Sequence, residues 1–304
     1  MRRWRMLADD AMNSHALSRL YDFQHPTDVS TGLMRSLAYM AKPRYIILFT
    51  PHRPDFYYPP YIVYKLCVLL GYRIEWDPTK EYDIAFRFAD RTIGLPDLPA
   101  IRADVPVINQ GVWDISKSHV QKVWESAANY AFRINPTTHH GQALCKNNRN
   151  ATHDGQVIDC PIPPDRVESG KVYQKLVDNS VGNGMVLDYR VVVHGAQIPL
   201  VYRKYRPVET RFSNDNARAE LADPVQEFSE QERETVLTFA RTMGLDFGEL
   251  DVLRDAADGQ LYVVDVNNTP CGPPNGLAPK DQSQAIGILT ESFRQLVESL
   301  SECP

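Results

Sequence analysis

The chain has 304 residues, 43% apolar and 23% charged, with a net charge of −5 at pH 7, values of a globular protein with a length for about two domains. The acidic balance excludes a protein held to nucleic acid by bulk electrostatics. The five cysteines at 67, 145, 160, 271 and 303 form no C-x-x-C pair, which excludes a disulfide framework and a zinc knuckle and makes a reducing cytosol the expected compartment.

Residues 1–43 carry one predicted helix, over 29–40. From Arg44 the pattern is clearer: 45–50 is a buried-type strand, then a Pro-rich loop leads to a helix from Ile62 that Gly71 ends. The apolar run 61–70 contains Lys65 and is too short to span a membrane, and no apolar segment follows the basic residues 1–5. Strand-like runs recur at 72–76, 84–88 and 105–108. Strands alternating with a helix predict a small open α/β domain with a largely parallel sheet, ending near Asn109. Ser116 is the expected N-cap of a helix through Ala128, with Val120, Val123, Trp124 and Ala127 at helical spacing and Lys117 in its first turn. Strands are expected at 142–146, 172–177, 187–193 and, after a tight hairpin at His194-Gly195, 197–202. A helix over 229–243 starts with an S-x-x-E capping box, Ser229 and Glu232, and closes at Gly244. After a hairpin at 248–267, a last amphipathic helix over 283–300 presents Ile286, Leu289, Phe293, Leu296, Val297 and Leu300 as a core face.

The hairpin at 248–267 concentrates oxygen-bearing side chains. With a five-residue loop at 256–260, Asp251 falls opposite Asp265 and Glu249 opposite Asn267, while Leu250, Val252, Tyr262, Val264 and Val266 point to the other face. Opposed carboxylates destabilise a sheet unless something positive lies between them, and hard oxygen ligands suit Mg²⁺. A solvated face with accidental acids is the competing reading. The polar loop 145–155 is rich in donors: it either closes over phosphates, with Lys146 as a point charge, or is a solvated loop. Basic residues gather at Arg190, Arg203, Lys204, Arg206 and Arg211 in an acidic protein, as a metal-nucleotide site requires; for any one of them a surface role competes. There is no G-x-S-x-G, Walker-type loop or H-E-x-x-H. The histidines show no ligand spacing.

In this order the parts resemble the ATP-grasp superfamily over residues 105–304, preceded by a region similar to that superfamily's N-terminal α/β domain. The resemblance implies an N-terminal open α/β domain (1–109), an ATP-grasp subdomain with phosphate loop and hinge (110–185) and a C-terminal subdomain with the metal site (186–304), the last two holding ATP between them. Lys117 and Lys146 hold the places of the family's phosphate lysines. Residues 173–178 look like the hinge strand, whose Gln174, Lys175, Leu176 and Val177 would meet adenine through the backbone. Asp188-Tyr-Arg190 is similar to the D-x-R opening of the second subdomain, Lys204 falls at a further phosphate lysine, and the loop from Arg211 to Asn214 resembles the one that reaches the terminal phosphate. Asp251, Asp265 and Asn267 map onto the metal site, an acid on one strand and E-x-N on the next, which implies a pair of Mg²⁺ ions, with Mn²⁺ as the alternative. Three departures stand out. Asp265 replaces the usual glutamate, a D-x-N form seen in inositol phosphate kinases of this fold; the glycine-rich loop is replaced by 147–155; and Glu249 stands where some peptide-forming members have an arginine.

The resemblance implies an ATP-dependent ligase that activates a carboxylate as an acyl phosphate and joins it to an amine or similar nucleophile. Arg190, Arg211 and Asn214 are the expected catalytic residues, with Arg190 gripping the acceptor carboxylate through its fork. Arg149, Asn150, His153, Asp154 and Glu249 are the expected substrate-facing group. One alternative is a kinase acting on a hydroxyl, with Asp154 or His153 as base; another is a nucleotide-binding protein without turnover. The expected partner is a small-molecule or peptide substrate, with neither nucleic acid nor membrane. The cytoplasm is the expected compartment; related enzymes are often dimers, which leaves a homodimer open.

Overall fold

The structure is a computed structural model that describes residues 44–51, 61–94, 100–213 and 215–302. The helix expected at 29–40, Cys303 and Asn214 lie outside the described residues. The architecture is mixed α/β with three sheets. The first is parallel, in the order β2-β1-β3-β4: β1 (Ile46–Pro51), β2 (Arg73–Glu75), β3 (Ile84–Phe88) and β4 (Val107–Ile108). Helix α1 (Ile62–Leu70) crosses between β1 and β2 and stops at Gly71, whose φ of 70° is the left-handed cap that glycine takes without penalty.

A three-stranded antiparallel sheet follows, β6-β5-β7, from β5 (Gly141–Asn147), β6 (Gln156–Cys160) and β7 (Lys171–Lys175). A five-stranded antiparallel sheet then forms in the order β10-β9-β8-β11-β12: β8 (Met185–His194), β9 (Val201–Pro207), β10 (Arg218–Ala222), β11 (Phe247–Arg254) and β12 (Leu261–Asn267). Helices α2 (Lys117–Ala128), α3 (Pro224–Glu227), α4 (Glu230–Met243) and α5 (Pro279–Glu302) complete the described fold. None of the described helices is long and apolar enough to cross a membrane.

Each face of the large sheet is buried against a different layer. On one face Val191, Val193, Leu250, Val252 and Val263 pack on Val120 and Trp124 of α2 and on Val236, Phe239 and Ala240 of α4. Trp124 meets Phe239 edge to face at 5.8 Å. On the other, Val192, Tyr202 and Phe247 join Leu289, Phe293 and Val297 of α5 and the side chains of β1, β3 and α1 in one core. Each fully buried side chain of this size contributes about 1.5–3 kcal/mol. The packing places α2 with the large sheet rather than with the three-stranded sheet that follows it in the chain.

Asn109 is a buried clasp: its amide donates to the Phe247 carbonyl (2.8 Å) and accepts from the Asp246 and Phe247 N–H groups (2.8 Å each). Nearby, α4 ends at Gly244, where a Cβ would lie 2.5 Å from the Cα of Gly111, so only glycine permits that approach.

Two strands escape the sequence reading, β6 and β10. Both are edge strands, and the Arg-Ala-Glu-Leu-Ala of β10 favours helix intrinsically; pairing with β9 overrides that preference. The hairpin at His194-Gly195 forms through paired His194–Gln197 bonds of 3.1 Å, but β9 resumes at Val201 and continues through Pro207, beyond the 197–202 expected.

Candidate functional site

The hairpin β11–β12 pairs Asp251 with Asp265 and Glu249 with Asn267, and then breaks register: Val252 pairs with Val263. With this β-bulge Val264 lies partly buried at the margin of the core rather than within it, contrary to the strict alternation expected for the hairpin. Val263 is fully buried instead, and Val264 lines a cleft. Leu253 lines it too. The cleft lies between the large sheet and the three-stranded one, with Asp251 and Asp265 on its floor.

Two lysines meet that floor. Lys117 Nζ donates to the Arg149 carbonyl at 2.6 Å and lies 3.8 Å from Asp265 Oδ2. Lys146, on β5, reaches across to donate to the Val264 carbonyl at 3.3 Å. Burial pushes Lys146 down to about 8, against the pull of Asp265, and burial likewise raises Asp265 despite both lysines. Asp251 behaves oppositely. Although burial would raise it, Arg190 and Lys204 hold it well below the usual carboxylate range: Arg190 forks onto both its oxygens at 3.1 and 3.3 Å, and Lys204 Nζ donates at 2.7 Å.

Two carboxylates in register and an amide oxygen fit the protein's share of a Mg²⁺ shell, which keeps water and phosphate oxygens in its other positions. Asn267 Oδ1 accepts the Thr269 N–H at 3.0 Å, and an amide oxygen has a second lone pair. Among the described residues no group of three carboxylate, imidazole or thiol side chains is set to hold a metal alone, so that share is partial.

Loop 147–155 folds on its own side chains. Asp154 accepts from the Asn147 N–H (3.0 Å), Thr152 Oγ1 (2.9 Å) and Lys171 Nζ (3.0 Å), and these bonds outweigh burial to bring it to about 2. Ala151 and His153 take left-handed φ values of 55° and 47°. Asn150 donates to the Val266 carbonyl at 3.1 Å and so ties the loop to β12. Arg149 meets the site through its carbonyl, its side chain being exposed. At the far end Gly155 passes under Phe212, where a Cβ would come within 3.0 Å of the ring.

Strand β7 and the two residues after it supply Gln174, Lys175, Leu176 and Val177 to the cleft wall, with Phe132 and Leu144 beside them. Gln174 donates to Gln121 Oε1 at 2.9 Å, while its own Oε1 is buried without a partner among the described residues. Lys175 is committed to the hairpin turn, 2.8 Å from Asp255 and 2.7 Å from Asp258. Arg211 donates to the Val177 carbonyl (2.8 Å) and Asn179 Oδ1 (2.7 Å), which places its bonds at the hinge.

Of the residues expected at the site, Lys117, Lys146, Gln174, Lys175, Leu176, Val177, Arg190, Arg211, His153, Asp154, Asp251 and Asp265 line the cleft. Lys204 does not: at 1% exposure it lies beneath the floor, its charge spent on Asp251. Glu249 is buried beside Arg190 Nε at 3.6 Å, and its Oε2 has no hydrogen bond among the described residues. The expected free fork of Arg190 is thus occupied by two acids. Phe132, Leu144, Phe212 and Leu253 were not singled out by sequence; apolar residues on separate elements carry no motif, and only their convergence marks a slot.

No family model matches the chain, and no curated protein matches it in sequence. Its structural neighbours include an ATP-grasp ligase and two further proteins. The ligase PsnB, solved with its minimal precursor, is 16% identical with a TM-score of 0.44, over 64% of this chain and 65% of PsnB, less than two thirds of that protein. A RimK domain protein ATP-grasp from Sphaerobacter thermophilus is 10% identical (TM-score 0.46, 83% of this chain and 99% of that one). D-alanine–D-alanine ligase from Bacillus anthracis, complexed with ATP, is 12% identical (TM-score 0.45, 84% and 96%). At these identities and TM-scores none of them assigns a substrate or a reaction to this chain.

Proposed function

We propose that the chain is an ATP-grasp ligase that uses Mg-ATP to activate a substrate carboxylate as an acyl phosphate and then joins it to an amine or similar nucleophile. The observation that carries this reading is the cleft floor, where Asp251 opposes Asp265 beneath Lys117 and Lys146. Acids set against lysines in one cleft suit a dication and a polyphosphate together, since each charge type then has its counterpart. The slot between the hinge and Phe132, Leu144, Leu253 and Val264 suits a flat base, and the unpartnered Gln174 Oε1 suits its amino group.

Asp251, Asp265 and Asn267 would hold Mg²⁺, which offsets charge on the transferring phosphoryl group when bound. Lys146 and Lys117 place ammonium groups along the phosphates. Arg190, forked onto Asp251, would fix the orientation of that carboxylate at the edge of the metal face. The domain division at residues 109 and 185 and a cytoplasmic homodimer belong to the same reading. A kinase acting on a hydroxyl with Asp154 as its base fits less well, because Asp154 has both oxygens engaged and is held at about 2, too acidic to take a hydroxyl proton.

The test is mass spectrometry of products formed from ATP, Mg²⁺ and a panel of carboxylates with amines, peptides included. ADP, phosphate and a condensation product are expected. A phosphorylated acceptor as the stable product, or no turnover across the panel, overturns the ligase reading.

A further inference from the structure

The parallel sheet grows first to one side of β1, adding β2, and then to the other, adding β3 and β4. Ligands of open α/β sheets bind outside the carboxyl ends of the strands at such a switch point. In this chain those ends carry Thr50 and Arg87, register partners on β1 and β3. Thr50 is 3% exposed, and among the described residues its hydroxyl has no hydrogen-bond partner; Arg87 Nε and Nη1 are buried and equally unpartnered there. The Arg87 guanidinium lies over the Trp113 indole, 3.8 Å from the ring centroid, and that indole is half-exposed. Burial lowers the Arg87 pKa and no carboxylate counters it. The cleft's own arginines are committed elsewhere: Arg190 to Asp251, Arg206 to Asp188, Arg211 to the hinge.

We propose that Thr50, Arg87 and Trp113 form an oxyanion subsite that takes the carboxylate of the acceptor, an inference that rests on the ligase reading above. Buried donors without partners are rare in native proteins and point to a missing acceptor, and a carboxylate supplies both the counter-charge and the lone pairs. The sheet edge is coupled to the cleft. Thr92 accepts from the Asn150 N–H at 3.0 Å and from the Ile115 N–H at 2.8 Å, and Trp113 lies just ahead of α2, which carries Lys117.

Tryptophan fluorescence of the full chain is followed while acetate, succinate or inorganic phosphate is titrated at constant ionic strength, in wild type and in Arg87→Met, Arg87→Lys and Trp113→Phe. The carboxylates are expected to give a saturable change in wild type, at least roughly tenfold weaker in Arg87→Met and partly restored in Arg87→Lys, and lost with the reporter in Trp113→Phe. Because Arg87→Met removes an uncompensated charge, its melting temperature without added anion is expected to equal or exceed that of wild type; a lower one marks Arg87 as a structural strut and overturns the subsite. So does a response to phosphate alone, an undiminished response in Arg87→Met, or none in wild type. Mg-ATP binding by wild type, measured in parallel, separates the two readings. Protein that binds Mg-ATP without responding to carboxylates overturns the subsite only; protein that does not bind Mg-ATP overturns the ligase.

Discussion

Glu249 places a carboxylate where the large sheet passes from charged cleft floor to aromatic core, with Asp251 on one side along β11 and Phe247 on the other. Burial raises it to about 7, with Arg190 only partly opposing the shift. The folded protein therefore keeps a proton that the unfolded chain releases near its ordinary value of 4.5, so the stability this adds is present below that pH and is lost as pH rises through about 7. Glu249→Gln, which cannot ionise, is expected to match wild type at pH 5 and to exceed it by about 1–3 kcal/mol at pH 8, the cost of a buried group left without a full partner. Urea denaturation at the two pH values checks this, and equal stability at both would mean that Arg190 satisfies the carboxylate. At the floor itself, Asp265→Ala and Lys146→Ala are each expected to lower turnover about 10²–10³-fold with the fold retained, as loss of a charge aimed at the reacting phosphates does. Wild-type turnover in either variant, assayed as ADP release, removes the site from this cleft.

Elements differ in how they hold the cleft together. Lys175 ties the hinge strand to the β11–β12 turn through Asp255 and Asp258, and Asp255 is almost wholly buried. Lys175→Met leaves that carboxylate without its cation and is expected to destabilise by about 1–3 kcal/mol, the lower half being the better guide because the lysine is itself partly exposed. A melting temperature within error of wild type would show that the tie contributes nothing. The start of α4 depends on a reciprocal capping box, in which Ser229 accepts the Glu232 N–H and Glu232 accepts that of Ser229. Ser229→Ala is expected to cost about 1 kcal/mol in equilibrium unfolding, while leaving the far-UV spectrum unchanged. The bulge at Asp251/Val252 has the opposite character: it breaks the pattern and puts Val264 where the cleft uses it, so its carbonyl receives Lys146 and its side chain lines the slot.

For the molecule as a whole, the cleft joins two sheets that share no buried core with each other among the described residues. The large sheet belongs to cores with α2 and α4 on one face and with α1, α5 and the parallel sheet on the other. The three-stranded sheet is bound to it mainly through polar ties, Lys146 to Val264, Asn150 to Val266 and Lys175 to the turn. A ligand that binds both walls stabilises the folded state by mass action. Mg-ATP at about a hundred times its Kd is expected to add roughly 2.7 kcal/mol, and a chelator should reverse most of that shift. A thermal shift that EDTA does not touch would argue against metal participation.

Much of this was legible in the sequence wherever the signal is local. The apolar runs of β1, β3 and β8, the Ser116 and Ser229 caps, the glycine stops at 71 and 244 and the opposition of Asp251 and Asp265 each follow from neighbours a few positions apart, because propensity, capping and pleat alternation are short-range effects. β6 and β10 were not legible, being edge strands whose pairing partners supply what their own residues lack. Nor could the sequence show that Lys204 is spent beneath the floor, that Arg190 is already forked onto Asp251, or that Thr50 and Arg87 carry unpartnered groups side by side. Those facts depend on which charges meet across sheets, and a charge has no fixed partner until the chain folds. By itself the sequence determined the kinds of groups available and their local spacing; the tertiary structure alone decided which of them are neutralised, which are buried without a partner and which remain free to meet a ligand, because solvation and electrostatic pairing are properties of the packed molecule.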